Sequence, residues 1–383
     1  MSTTETYQRL LAAMSGTTDD AGIRFSSHFD VAGEPGSRVM PPTYAGGPYL
    51  RAERLVGDGE AVDTVLLDSF QSQANRVEEA LLHARDAGRI ALPLFELRET
   101  IGPWRLRLTS LDMPHRYADA YLRDSTIDGV RFDKTMIGAA LRVASPQDAT
   151  ALYRHDPVSL VLGAWNSHRK GRQPKFARAY KSEVLGIKPL IESRRGGRLD
   201  PINLTGAVNG GGEDDWEFSI GGAQKVKGQK LSEIGHGNAL AKDGSPGGFT
   251  VADVRRIGFL SFPALERLHF ADASSAVEEA ARAALAALAL AGDRLTFDRA
   301  GHVFRSGCEL TTRTDELAWE MRGGRVEPLV LDTAGALALF VEAVAAAAEL
   351  GLEMASETVA IEPIDGLRAA IRHAYLAADA GDS

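Results

Sequence analysis

Ten Lys or Arg fall between Trp165 and Arg198: Arg169, Lys170, Arg172, Lys175, Arg178, Lys181, Lys188, Arg194, Arg195 and Arg198, against Glu183 and Glu192. The segment therefore carries +8 in a chain of formal net charge −9, which leaves −17 on the remainder. Cations gathered in this way hold a polyanion, while an acidic remainder limits nonspecific adhesion, a pattern suited to one defined nucleic-acid groove. Trp165, Phe176 and Tyr180 frame the run, and their rings suit either stacking on unpaired bases or core packing. A solvated basic loop is the plainer alternative.

Other residues invite narrower readings. His168 sits among Arg169, Lys170 and Arg172, where it suits a phosphate or base contact, or general acid–base work in RNA cleavage. Arg76, on the polar edge of a helix pattern, is either a backbone-phosphate contact or the partner of Glu78 or Glu79. Gln71, Ser72 and Asn75 are polar helpers beside it, and Arg255 and Arg256 are further cation candidates that equally suit pairing with acids of a neighbouring copy. His236 between two glycines reads as a turn residue, and Cys308 as a small buried apolar side chain.

Several chemistries lack their residues. The sequence holds no GxxxxGK[ST], no GxGxxG opening a helix after a strand, no HExxH and no GxSxG, and its nine histidines are scattered singly. No catalytic constellation, metal site or cofactor is expected.

The elements that must position these residues follow from periodicity. The chain of 383 residues, 44% hydrophobic and 25% charged, is long enough for two packed units or for one core enlarged by insertions. Residues 1–40 read as a loosely ordered lead, punctuated by Gly33, Pro35, Gly36, Pro41 and Pro42. Tyr49 to Leu55 reads as a strand and Leu66 to Arg89 as a helix. Ile90 to Leu97 and Trp104 to Leu108 read as strands joined by a turn at Gly102 and Pro103, and Gln147 to Trp165 as helical with a break at Pro157. The basic loop 166–178 follows, with Tyr180 to Glu192 returning to a sheet and a Gly-rich insertion over 193–248. Val254 to Leu260 reads as a strand and Phe262 to Phe270 as a helix start. Ser274 to Ala291 and Asp332 to Leu350 are helices, with strands at Leu295 to Phe297, Cys308 to Thr312, Val326 to Val330 and Thr358 to Ile361, and a helix or tail over 363–383. Interleaved strands and helices favour a sheet backed by helices.

One cysteine excludes an intrachain disulfide, MSTTETYQRL lacks the apolar core of a secretory signal, and no apolar stretch is long enough to span a bilayer, so a cytoplasmic protein without membrane contact is expected.

Six blocks together resemble the CRISPR RNA-binding backbone subunit of type I-G (formerly I-U) Cascade, in the Cas-seven branch of the RAMP superfamily. They are LDSFQSQANRVE (Leu67 to Glu78), GAWNS (Gly163 to Ser167), RAYKSEVLG (Arg178 to Gly186), KLSEIGHGN (Lys230 to Asn238), GGFTVADVRRIGFLSFPALERLHF (Gly247 to Phe270) and RSGCEL (Arg305 to Leu310). The chain departs from that family in its long lead before Met40. The resemblance implies an α+β fold: a modified ferredoxin-like, RRM-related palm over 41–362 with thumb and finger insertions. It implies a noncatalytic subunit, several copies of which line up along CRISPR RNA so that the guide pairs with a target DNA strand. Its implied partners are a fused Cas-five/Cas-six subunit and a large Cascade subunit. The rival readings are an endoribonuclease that processes CRISPR repeat RNA through His168, and a scaffold whose basic segment meets acidic proteins.

Overall fold

The computed structural model describes residues 2–44, 49–55, 59–166, 174–193 and 246–381, and between the last two 197–198, 200–202, 204, 207–210, 216–219, 229–230, 236 and 239–240. Among the described residues the largest sheet has eight antiparallel strands. Seven lie in the order Gly301–Arg305, Cys308–Met321, Asp20–Val31, Asp253–Ser261, Tyr180–Ile187, Ala61–Asp68, Arg51–Leu55, and Val326–Leu329 pairs with Cys308–Met321. A second, five-stranded sheet joins Trp104–Thr109, Leu94–Ile101, Thr358–Pro363, Ser125–Ile127 and Val130–Arg131, with Thr358–Pro363 parallel to Leu94–Ile101. The fold is α+β.

Within the large sheet, a strand–helix–strand–strand–helix–strand path runs through Asp20–Val31, the helix Phe70–Asp86, Tyr180–Ile187, Asp253–Ser261, the helix Ser275–Phe297 and Cys308–Met321. Its four strands lie in the spatial order fourth, first, third, second. The two helices pack against each other. Gly292 permits the close approach, since a Cβ there would meet Val77 Cγ1 at 2.6 Å. Both sheets contribute to one continuous core, in which Phe25 of the large sheet and Phe95 of the small one join the helical alanines 280–291.

Two sequence expectations are overturned. The lead 1–40 is folded: Thr3–Met14 is a helix capped by a reciprocal Ser2–Glu5 box, with Leu10 and Met14 buried. Asp20–Val31 sits in the middle of the large sheet, hydrogen-bonded on both sides. Buried Ile23, Phe25 and Phe29 alternate with outward Arg24 and Asp30, and Ser27, buried in the same phase, puts a polar side chain on that inward face, where its hydroxyl donates to Asp315 Oδ1 at 2.6 Å. The Gly and Pro punctuation belongs to the segment after this strand. Leu295 to Phe297, expected as a strand, is instead the last turn of the helix Ser275–Phe297, where Thr296 Oγ1 donates back to Gly292 O at 2.7 Å.

Elsewhere expectation and structure agree more closely. The 66–89 helix begins later, at Phe70, where Ser69 accepts from Ser72 N, and the residues before it form the strand Ala61–Asp68. The break at Pro157 separates Thr150–His155 from Pro157–Leu162. Leu190–Ser193 pairs with Pro246–Thr250 to bracket the Gly-rich insertion, whose described pieces are short strands such as Ala207–Gly210 with Trp216–Ser219. The C-terminal segment is the helix Asp365–Gly381. No helix among the described residues is long and apolar enough to cross a membrane.

A second cluster under the sheet holds Phe29, Val39, Phe249, Phe304, Cys308 and Leu310. Cys308 is buried there as expected, and burial pushes its thiol up to about 12. His302 stacks on Phe304 in the same region, and burial together with the positive charges of Arg299 and Arg256 holds it down at about 4. The folded protein therefore resists a proton that the unfolded chain accepts near 6.5, so this residue's contribution is present above that pH and lost as pH falls toward 4. His302→Gln should narrow the acid loss of stability by on the order of 3 kcal/mol at pH 4. Urea denaturation of both proteins at pH 7 and pH 4 measures it, and parallel losses would count against the assignment.

Candidate nucleic-acid interface

The helix Pro157–Leu162 ends at Gly163, whose φ of 80° lies in the region that favours glycine. A Cβ there would lie 3.1 Å from Arg178 N and 3.2 Å from Phe176 O, so glycine allows the returning strand to press against this corner. Ala179 N donates to Val161 O at 2.9 Å, and Ala164–Trp165 pairs with Lys175–Phe176 as a short antiparallel ribbon. The ribbon pairs Trp165 with Lys175 on either side of residues 167–173, which lie outside the described residues.

This ribbon forms one wall of a groove of about 660 Å³. The other walls come from Pro114 to Arg116 and from Ala264, Arg267 and Leu268 at the end of the helix Phe262–Glu266. Lys175, Arg178 and Arg267 are exposed at the groove, together with His115 and Trp165, and no Asp or Glu lines it. Elsewhere arginines are commonly neutralised, as Arg107 is by Asp86 and Glu96. Among the described residues Lys175, Arg178 and Arg267 show no ion pair.

The cations are positioned by apolar and backbone groups. Lys175 Nζ lies 4.7 Å from the centre of the Trp165 ring, and Arg178 Nε donates to Leu162 O at 3.2 Å. Partial burial, with the like charge of Arg116, lowers the Arg178 pKa, a penalty that an anion in the groove would remove. Arg116 has a structural duty: it donates to both Glu78 oxygens at 2.6 and 3.0 Å and to Gly163 O at 2.9 Å. Burial pushes Glu78 up to about 7 against the pull of that guanidinium. The arrangement provides unpaired cations, one exposed ring and backbone support, which suits holding phosphates without reading bases.

The structure treats the sequence candidates unequally. Lys175 and Arg178 meet at the groove, with Trp165 exposed beside them, whereas Phe176 and Tyr180 are buried in the core. His168, Arg169, Lys170 and Arg172 lie outside the described residues. Gln71 and Asn75 are exposed on the helix Phe70–Asp86. Ser72 donates to Asp68 Oδ1 at 2.6 Å, and Arg76 Nε donates to Asp68 Oδ2 at 3.0 Å, so the acid that pairs with Arg76 is Asp68 rather than Glu78 or Glu79. Arg76 also donates to Phe304 O at 2.6 Å and covers that ring, which commits much of its guanidinium to the fold. Arg255 pairs with Asp253 at 2.7 Å on the outward side of its strand.

Arg256 is the clear correction. It is 0% exposed, pairs with Asp293 and lies 3.5 Å from the Phe297 ring centre, so it serves the core rather than RNA. Sequence reasoning missed Arg267, and also His115 and Arg116, because their place at the groove depends on distant segments meeting. Among the described residues no group of three or more His, Cys, Asp or Glu is placed to hold a metal ion.

Residues 23–189 match the family described as CRISPR-associated protein GSU0053 (Cas_GSU0053). The matched span includes the ribbon, Lys175 and Arg178, and stops before Arg267. No curated protein matches the chain.

Proposed function

We propose, from the premise that this match indicates a CRISPR-associated protein, that the chain is a noncatalytic RNA-binding backbone subunit of a type I-G Cascade complex. Copies line up along CRISPR RNA and hold it by its phosphates, leaving the bases to pair with a target DNA strand. The observation that carries this reading is the groove, where Lys175, Arg178 and Arg267 stand with no carboxylate in the lining; Arg169, Lys170 and Arg172 precede Lys175 in the sequence. The strand order fourth, first, third, second with two helices on one side is that of a ferredoxin-like unit and supports the RAMP palm reading. The fused Cas-five/Cas-six subunit and the large Cascade subunit are the partners this reading requires.

Purification of the chain from cells that express a CRISPR array, followed by sequencing of copurified RNA, tests it. Guide sequences protected at regular length increments are expected. Recovery of no RNA favours a protein-binding scaffold. Cleavage of repeat RNA by the purified chain, abolished in His168→Ala, favours the endoribonuclease.

A further inference from the structure

A helix that is apolar on every side is normally buried, and two helices of this chain are apolar nearly all round yet partly bare. Met136–Val143 reads MIGAALRV, with Arg142 its one charged residue, but Met136 is 91% exposed and Val143 62% exposed. Thr333–Glu349 reads TAGALALFVEAVAAAAE, with Glu342 and Glu349 its only charges. Its Leu339, Phe340 and Ala343 are buried, while Ala338, Val341 and Ala345 stay exposed, Val341 at 55%.

The helices are anchored to different parts of the molecule. The first packs on Phe132–Lys134 and Thr150–His155, the second on Ser275–Phe297 and Thr3–Met14. Their rims differ in net sign: Arg142 and nearby Lys134 outweigh Asp133 on one, Glu342 and Glu349 stand on the other, and among the described residues Arg142, Lys134, Glu342 and Glu349 show no ion pair. The first face offers a long, flexible methionine; the second offers small side chains that admit one.

We propose that these are the two halves of one contact between copies of this chain, the exposed face of Met136–Val143 docking on the exposed face of Thr333–Glu349 of a second copy. Met136 inserts among the alanines, and Arg142 meets Glu342 at the rim. The contact rests for its purpose on the multi-copy assembly proposed above, but RNA takes no part in it. Because the two patches differ, a bound copy still presents its other face, so association is head-to-tail and continues unless it closes into a ring.

Sedimentation of the nuclease-treated full chain over a range of concentrations tests this. The natural sequence should form species that grow with concentration. Met136→Asp and Val341→Asp should each be monomeric alone, and an equal mixture should form one-to-one dimers and nothing larger, since each variant keeps one intact face. Arg142→Glu should weaken self-association by about tenfold or more, and adding Glu342→Arg to the same chain should restore it. A monomeric natural sequence, a mixture of folded variants that stays monomeric, or no restoration by the double reversal would overturn the proposal. RNA binding by the same variants separates the two readings: retained binding with lost self-association leaves the groove assignment standing, and intact self-association without RNA binding removes only the latter.

Discussion

Asp293→Asn should lower folding stability by about 3–5 kcal/mol, the size expected when a buried ion pair loses one member. Asp293 is fully buried and joins three neighbours: it pairs with Arg256, accepts from Tyr180 Oη at 2.7 Å and accepts from Arg294 Nε at 3.0 Å. Burial alone would push its carboxyl up, yet Arg256 and Arg294 hold it below the usual carboxylate range. Arg256 also donates through Nη2 to Tyr180 Oη at 2.7 Å and lies 3.9 Å from Asp315, but its Nε and Nη1 lack hydrogen-bond partners and its guanidinium lies against the rings of Phe297 and Phe25, so Asp293 is its main countercharge. Urea denaturation provides the measurement. Arg256→Met with Asp293→Leu should recover most of the loss by removing both charges, whereas an Asp293→Asn protein as stable as the natural one would show that the pair contributes little.

The triple reversal Lys175→Glu, Arg178→Glu and Arg267→Glu should weaken binding of single-stranded RNA by on the order of a hundredfold or more at low salt. Each phosphate contact on a single strand contributes about 0.7 to the slope of log affinity against log salt, so loss of three should flatten it by about 2. Arg325→Glu is the control, since Arg325 pairs with Asp19 away from the groove residues, at 2.6 Å. Binding isotherms at four or more salt concentrations distinguish the outcomes. An unchanged slope in the triple variant would place the RNA elsewhere, even if affinity fell.

The groove was half legible in the sequence. The basic cluster and the aromatic frame pointed to Lys175, Arg178 and Trp165, because local charge density survives folding as a surface property. Arg256 escaped correct reading because its partner Asp293 lies 37 positions away, on a helix whose alanines give no hint of a buried acid. The acidic partner of Arg76 was hidden for a similar reason, as Asp68 belongs to the strand before its helix rather than to the helix itself. Strand periodicity served well where one face was uniformly apolar. It failed for Asp20–Val31, where Ser27 faces inward toward Asp315 and the alternation depends on a tertiary hydrogen bond. The helix Thr3–Met14 was equally hidden, although Ser2 and Glu5 carry the spacing of a capping box.

The central position of Asp20–Val31 has a consequence for how the protein is made. Its lateral partners, Asp253–Ser261 and Cys308–Met321, leave the ribosome long after it does. At about 5–20 residues per second the strand waits on the order of 10 to 50 seconds for the first of them. During that interval Ile23, Phe25 and Phe29 stand uncovered beside unsatisfied backbone groups. Chaperone dependence during synthesis should therefore concentrate on this early segment, and a bulky fusion placed before Thr3 should reduce the yield of native protein more than the same fusion placed after the helix Asp365–Gly381.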